Sequence, residues 1–74
     1  MNLKYTMVIQ WSEEDQLYLV HCPEFSWQHF ITHGSTYQEA VENGQDALEG
    51  LIEVLQDNNQ PIPEPIAFRI PQAA

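Results

Sequence analysis

The sequence predicts a small α+β domain in which one long helix packs on a mainly antiparallel sheet, in the order β-β-β-α-β. Three observations predict it. Apolar and polar residues alternate over residues 4–11, and a run rich in β-formers follows over 17–22, with a polar break of hairpin length between them. A helical period of apolar residues then runs from Tyr37 to about Asp57. A proline-rich stretch at 61–65 separates that helix from a last β-prone run at 66–70.

In the first segment Tyr5, Met7, Ile9 and Trp11 point to one face, with Thr6, Val8 and Gln10 on the other. Ser12, Glu13, Glu14, Asp15 and Gln16 form the hairpin loop. Residues 17–22 resume the strand pattern with Tyr18 and Val20, and stop at Pro23, which cannot donate to a ladder. Residues 23–28 make a connection whose aromatics, Phe25 and Trp27, read as exposed. A short third strand is expected over 29–33. Gly34 after it suits a turn that needs positive φ.

Thr36 followed by Glu39 fits a capping box, and Ser35 is placed to share in it. At about 100° per residue, Tyr37, Ala40, Val41, Gly44, Ala47, Leu48, Leu51, Ile52, Val54 and Leu55 fall within an arc of roughly 160°. Glu39, Glu42, Asp46, Glu49, Glu53 and Asp57 occupy a narrow stripe on the opposite side. Like charges three and four apart destabilise a helix by about 0.2–0.5 kcal/mol per pair. Glu53 and Asp57 also lie at the negative end of the helix dipole. A cationic partner laid along the stripe recovers that energy; a solvated face is the alternative. Asn58, Asn59 and Gln60 end the helix, residues 61–65 form a stiff linker, and 71–74 read as a frayed tail.

The 74 residues make one domain, near the size where a single core is only marginally sufficient. Cys22 is the one cysteine, so no disulfide within the monomer can add stability. A homo-oligomer, dimer or tetramer, is therefore the expected supplement. No stretch approaches the roughly 20 apolar residues of a membrane span. No signal-peptide pattern opens the chain, and a cytoplasmic protein is expected. Lys4 and Arg69 stand against eleven acids, a formal net charge of −9. That balance disfavours direct contact with nucleic acid or anionic membranes and favours a basic partner.

The chain is poor in chemistry. His21 and Cys22 are adjacent and point to opposite faces of a strand. His29 and His33 fall about 13 Å apart on an extended chain, too far for one ion. Neither spacing is that of a structural zinc site, and no metal or other cofactor is expected. Cys22 has no motif around it that suggests a nucleophile, and the isolated glycines make no phosphate loop. No enzymatic activity is expected. Carboxylate pairs such as Asp15 with Glu24 could converge on a divalent ion, although among eleven acids some pairs converge by chance.

The series Trp11-Ser12-Glu13-Glu14-Asp15, Tyr18, Cys22-Pro23-Glu24-Phe25, Thr32-His33-Gly34-Ser35-Thr36, Glu39-Ala40 and Asn43 resembles the HicB-like antitoxin family. Pro61-Ile62-Pro63-Glu64-Pro65 is similar to that family's segment after the helix. The resemblance covers almost the whole chain, in order and at comparable spacing. It implies a reduced ribonuclease H-like core of the same β-β-β-α-β order. It also implies a small basic HicA-type toxin, an mRNA-cleaving ribonuclease, as the partner whose active site is covered. Two departures bear on what the resemblance implies. Ser26-Trp27-Gln28 stands where many members have a Pro-Gly-Cys-like turn. With the sequence ending at Ala74, no helix-turn-helix or ribbon-helix-helix, and so no operator binding, is expected.

The expected partner contacts are Glu39, Glu42, Asp46, Glu49 and Glu53, with Phe25 and Trp27 as aromatic anchors. Two other readings stay open. One is a stand-alone homo-oligomeric binding module without a toxin. The other is a residual metal-dependent nuclease built on Asp15 and Glu24, which rests on fold analogy.

Overall fold

A computed structural model of the chain describes residues 4–27 and 30–68. Strand β1 (Val8–Ser12) and strand β2 (Leu17–His21) pair antiparallel, with Trp11 opposite Tyr18 and Ile9 opposite Val20. Strand β3 (Thr32–Gly34) pairs antiparallel with β2, so the sheet order is β1-β2-β3. Helix α1 (Tyr37–Asp57) follows and packs on one face. The predicted α+β class and the order of these elements are those observed.

The hairpin turns where the polar break lies. Gln16 donates its backbone N–H to the Ser12 carbonyl at 2.8 Å and takes a positive φ of 55°. Ser12 and Asp15 share two hydrogen bonds across the loop, at 3.0 and 3.3 Å. By alternation, Ile9 and Trp11 share a face with Tyr18 and Val20. That face receives the helix: a Cβ on Gly44 would meet Met7 Sδ at 2.6 Å and Val20 Cγ1 at 3.2 Å. The other face carries Val8 and Gln10, both exposed, with half-buried Leu17 and Leu19.

Strand β3 begins three residues later than the sequence predicts. Ile31 extends the ladder by donating to the Val20 carbonyl at 2.9 Å, and His29 lies outside the described residues. Gly34 is a correction of reason. It lies inside β3, buried, and its φ is not positive. Glycine stands there because the helix start comes so close: a Cβ would sit 2.4 Å from the Ala40 nitrogen and 2.8 Å from its Cα. Asn43 adds a second tie between helix and strand, donating to the His33 carbonyl at 2.8 Å.

The helix has the predicted ends. Thr36 accepts from the Glu39 N–H at 3.0 Å, and the Glu39 carboxylate reaches back to the Ser35 N–H at 2.9 Å. The C-terminus closes with Asn59 at φ 54°: its N–H donates to the Gln56 carbonyl and that of Gln60 to the Leu55 carbonyl. This is a Schellman arrangement, which satisfies carbonyls the helix leaves unpaired. Ala40, Gly44, Leu48, Ile52 and Leu55 are buried, all within the predicted apolar arc. Val54, at the arc's edge, is exposed, and so is Tyr37, which lies near the arc's centre but is the first residue of the helix.

The core cluster is Cys22, Phe25, Leu48, Ile52 and Leu55, flanked by Tyr5, Met7, Ile31 and Leu51. Phe25 overturns the expectation of an exposed anchor: it is 0% exposed and stacks edge-on with Tyr5 at 5.1 Å. A turn at residues 22–25, closed by the Phe25 N–H on the Cys22 carbonyl, swings the ring under the helix. Residues 61–68 form no strand. Pro61, Pro63 and Pro65 offer no N–H to a ladder, and the next amide, that of Ile66, donates to Glu24 instead. The remainder of the predicted last strand, Arg69 and Ile70, and the tail at 71–74 lie outside the described residues.

Candidate functional site

The surface, not a cleft, carries this molecule's charge, and the helix positions most of it. Glu39, Glu42, Asp46, Glu49 and Glu53 are all exposed on the side of α1 away from the sheet. Their spacing of three and four residues sets five carboxylates along about 21 Å of helix. Glu39 is already engaged at the cap, and Glu42 accepts from Gln38 Nε2 at 3.3 Å. Asp46, Glu49 and Glu53 continue the row with no basic residue in the helix to offset them.

The two predicted aromatic anchors separate. Phe25 belongs to the core, whereas Trp27 is exposed and rests its ring 5.4 Å from that of Phe25. Trp27 thus remains on the surface as expected, held by a buried neighbour.

Two further surface features were not anticipated. Trp11 meets Tyr18 edge-on at 5.0 Å, and Tyr18 meets Tyr37 at 4.4 Å, so three rings from three elements form one row. The predicted hairpin contains half of this signal, since residues that flank its loop symmetrically must face each other. The second feature is an open apolar groove of about 430 Å³ lined by Ile31, Ala47, Gly50, Leu51 and Val54. Its signal in the sequence is the apolar arc of the helix, which is wider than one sheet face can cover.

The most constrained ionisable group is Glu24. It is buried, and its carboxylate accepts from the Thr6 N–H at 3.0 Å, the Thr6 hydroxyl at 3.1 Å and the Ile66 N–H at 2.9 Å. Burial by itself raises its pKa; the hydrogen bonds from Ile66, Thr6 and its own backbone outweigh that and hold it below the ordinary value. Glu24 therefore joins the start of the chain to the segment after the helix. Tyr5 reinforces the junction, donating its hydroxyl to the Pro63 carbonyl at 2.6 Å. Burial, with the Glu24 charge adding, pushes the neighbouring Cys22 thiol up to about 11, so it is no nucleophile at neutral pH.

The carboxylate pair considered for a metal does not form. Asp15 is bonded into the hairpin loop before β2 and Glu24 lies beyond its far end, so the strand alone puts about 17 Å between them. Among the described residues, no group of three or more His, Cys, Asp or Glu side chains is placed to hold a metal ion. Among the same residues no helix is long and apolar enough to cross a membrane.

An open three-stranded sheet carrying one amphipathic helix, with the acids gathered on the helix's outer side, defines a small α+β domain of the helix-on-sheet class. The chain belongs to the UPF0150 family. It is 35% identical over 68 residues to UPF0150 protein Ta0767 of Thermoplasma acidophilum, a match that covers 92% of this chain and 94% of that protein. No family model and no solved structure matches the chain.

Proposed function

We propose that this chain is a HicB-like antitoxin, or a domain derived from one, that sequesters a small basic HicA-type mRNA-cleaving toxin. The observation that carries the reading is the exposed row of Glu42, Asp46, Glu49 and Glu53 on a capped, well-packed helix. An ordered row of carboxylates presents to an RNA-binding protein the charge pattern that its own substrate's phosphates present. The family-like motif series from Trp11 to Asn43 supports the same reading. Binding of this kind requires no cofactor and no catalytic group in this chain. It is tested by co-expression with a HicA-type toxin encoded beside it, followed by affinity capture. The triple variant E42K/D46K/E49K abolishes capture and growth rescue while circular dichroism retains the helix. Unchanged capture by the triple variant rules out the stripe as the contact.

A second reading has its own observation. The groove at Ile31, Ala47, Gly50, Leu51 and Val54, with Phe30 and Phe68 also exposed, supports a homo-oligomeric binding module that needs no toxin. Sedimentation velocity decides its first requirement: a monomer at all accessible concentrations removes it.

A further inference from the structure

We propose that the Trp11–Tyr18–Tyr37 row, with the Glu13 carboxylate held at its edge, is a docking site for an arginine side chain of a basic protein segment. The proposal deepens the function above and rests on it in one respect, that the partner is a basic protein.

The three rings meet at the hairpin end of the molecule. Trp11 comes from the end of β1, Tyr18 from the start of β2, and Tyr37 is the first residue of α1. A row that served only to seal the core would bury its outer rings. Here Trp11 is 42% exposed and Tyr37 is 64% exposed. Tyr18 and Tyr37 lie 4.4 Å apart with their planes inclined by 32°, so one face of Tyr37 is stacked and the other is left to solvent.

A carboxylate is already positioned beside these rings. The Trp11 indole N–H donates to Glu13 Oε1 at 3.0 Å, and Gln16 Nε2 lies 3.4 Å from Oε2. Gln16 Nε2 also donates to the Glu13 carbonyl at 2.7 Å, and the Ser12–Asp15 bonds close the same loop. Glu14 and Asp15 add two more negative charges there. The end of the sheet thus combines open aromatic faces with an ordered anion. A guanidinium satisfies both at once, since it stacks flat on an aromatic face and donates in its own plane to a carboxylate. An ammonium has no plane to stack. Because Glu13 and the rings are ordered by contacts within the chain, little side-chain freedom remains to be lost on binding. The net charge of −9 attracts a cationic segment and repels nucleic acid, which selects a protein as the source of the arginine.

The test uses the full chain, labelled with ¹⁵N and titrated with hexa-arginine and with hexalysine at about 20 mM salt, where screening is weak. The expected result is a saturable shift of the Trp11 indole N–H and of the Glu13 and Tyr37 amides, with hexa-arginine binding more tightly than hexalysine. W11L and Y37S, each shown by its spectrum to be folded, weaken hexa-arginine by roughly two- to thirtyfold, the range of a cation–π contact. Shifts confined to residues 42–53, with affinity unchanged in W11L and Y37S, overturn the aromatic site and leave the basic-partner reading standing. No saturable binding of hexa-arginine also overturns the site, while toxin capture by the intact chain remains the separate measure of the proposed function.

Discussion

At the scale of single residues, Glu24 and Gly34 hold more of the structure than their positions in the chain suggest. Removing the Glu24 carboxylate orphans three donors, so Glu24→Ala should lower stability by roughly 3 kcal/mol or more. The pH dependence has a definite sign. Because the folded-state pKa is lowered from 4.5, the contribution of Glu24 is present above that value and is lost as pH falls through the folded one. The gap in urea midpoint between the native chain and Glu24→Gln should therefore be steady from neutral pH to about 5 and shrink below it. A gap that stays constant down to pH 3 would count against the clamp. Gly34→Ala meets backbone rather than a flexible side chain, and we expect a loss of about 3 kcal/mol or more in denaturant unfolding. Neither residue betrays its role locally: Glu24 reads as one acid among eleven, and Gly34 reads as a turn former.

At the scale of elements, the improvement of α1 can be forecast. Gly50 is exposed within the helix, and a Cβ there would meet nothing within 4 Å. Gly50→Ala should therefore stabilise the chain by about 0.5–1 kcal/mol, a rise of roughly 2–8 °C in melting temperature. Gly44→Ala is a different case: Met7 Sδ and Val20 Cγ1 must both give way, so the same helix gain is opposed by crowding. At the C-terminus, Asn59 holds a φ of 54° that glycine adopts without strain. Asn59→Gly should raise the melting temperature and Asn59→Val should lower it; the same direction for both would show that the closing turn does not limit stability. The capping box was legible in Thr36 and Glu39 because it depends on neighbours in sequence. The partner of the Glu39 carboxylate, Ser35 rather than Thr36, is a matter of how the chain enters from β3.

At the scale of the whole molecule, charge and uncovered apolar surface pull in opposite directions. A net charge of −9 on 74 residues favours separation of copies and opposes the compact state. Salt should therefore raise the melting temperature between about 10 and about 300 mM, as screening shortens the reach of each charge. No change over that range would mean that the helix stripe carries little repulsion. Against this, the groove, the half-buried Leu17 and Leu19 on the outer face of the sheet, and Phe68 at 91% exposure give a second molecule something to cover. Which tendency prevails is a property of the assembled surface, beyond any single element.

The sequence by itself determined the hairpin, the third strand's existence, the helix from cap to cap and the exposed row of acids. Each of these rests on periodicity or on groups a few residues apart, and such interactions form in whatever tertiary setting the segment finds. Only the tertiary structure decided the rest. Phe25 left the surface because the turn at 22–25 brought it beneath Leu48 and Ile52, a contact across more than twenty residues. Glu24 became a clamp because the chain after Pro65 returned to Thr6. Trp11, Tyr18 and Tyr37 became one surface because the hairpin register and the helix start met at the same end. Side-chain period reports which way a residue faces along its own element; what lies in that direction is set by packing between elements, and that is where the buried and binding roles of these residues were fixed.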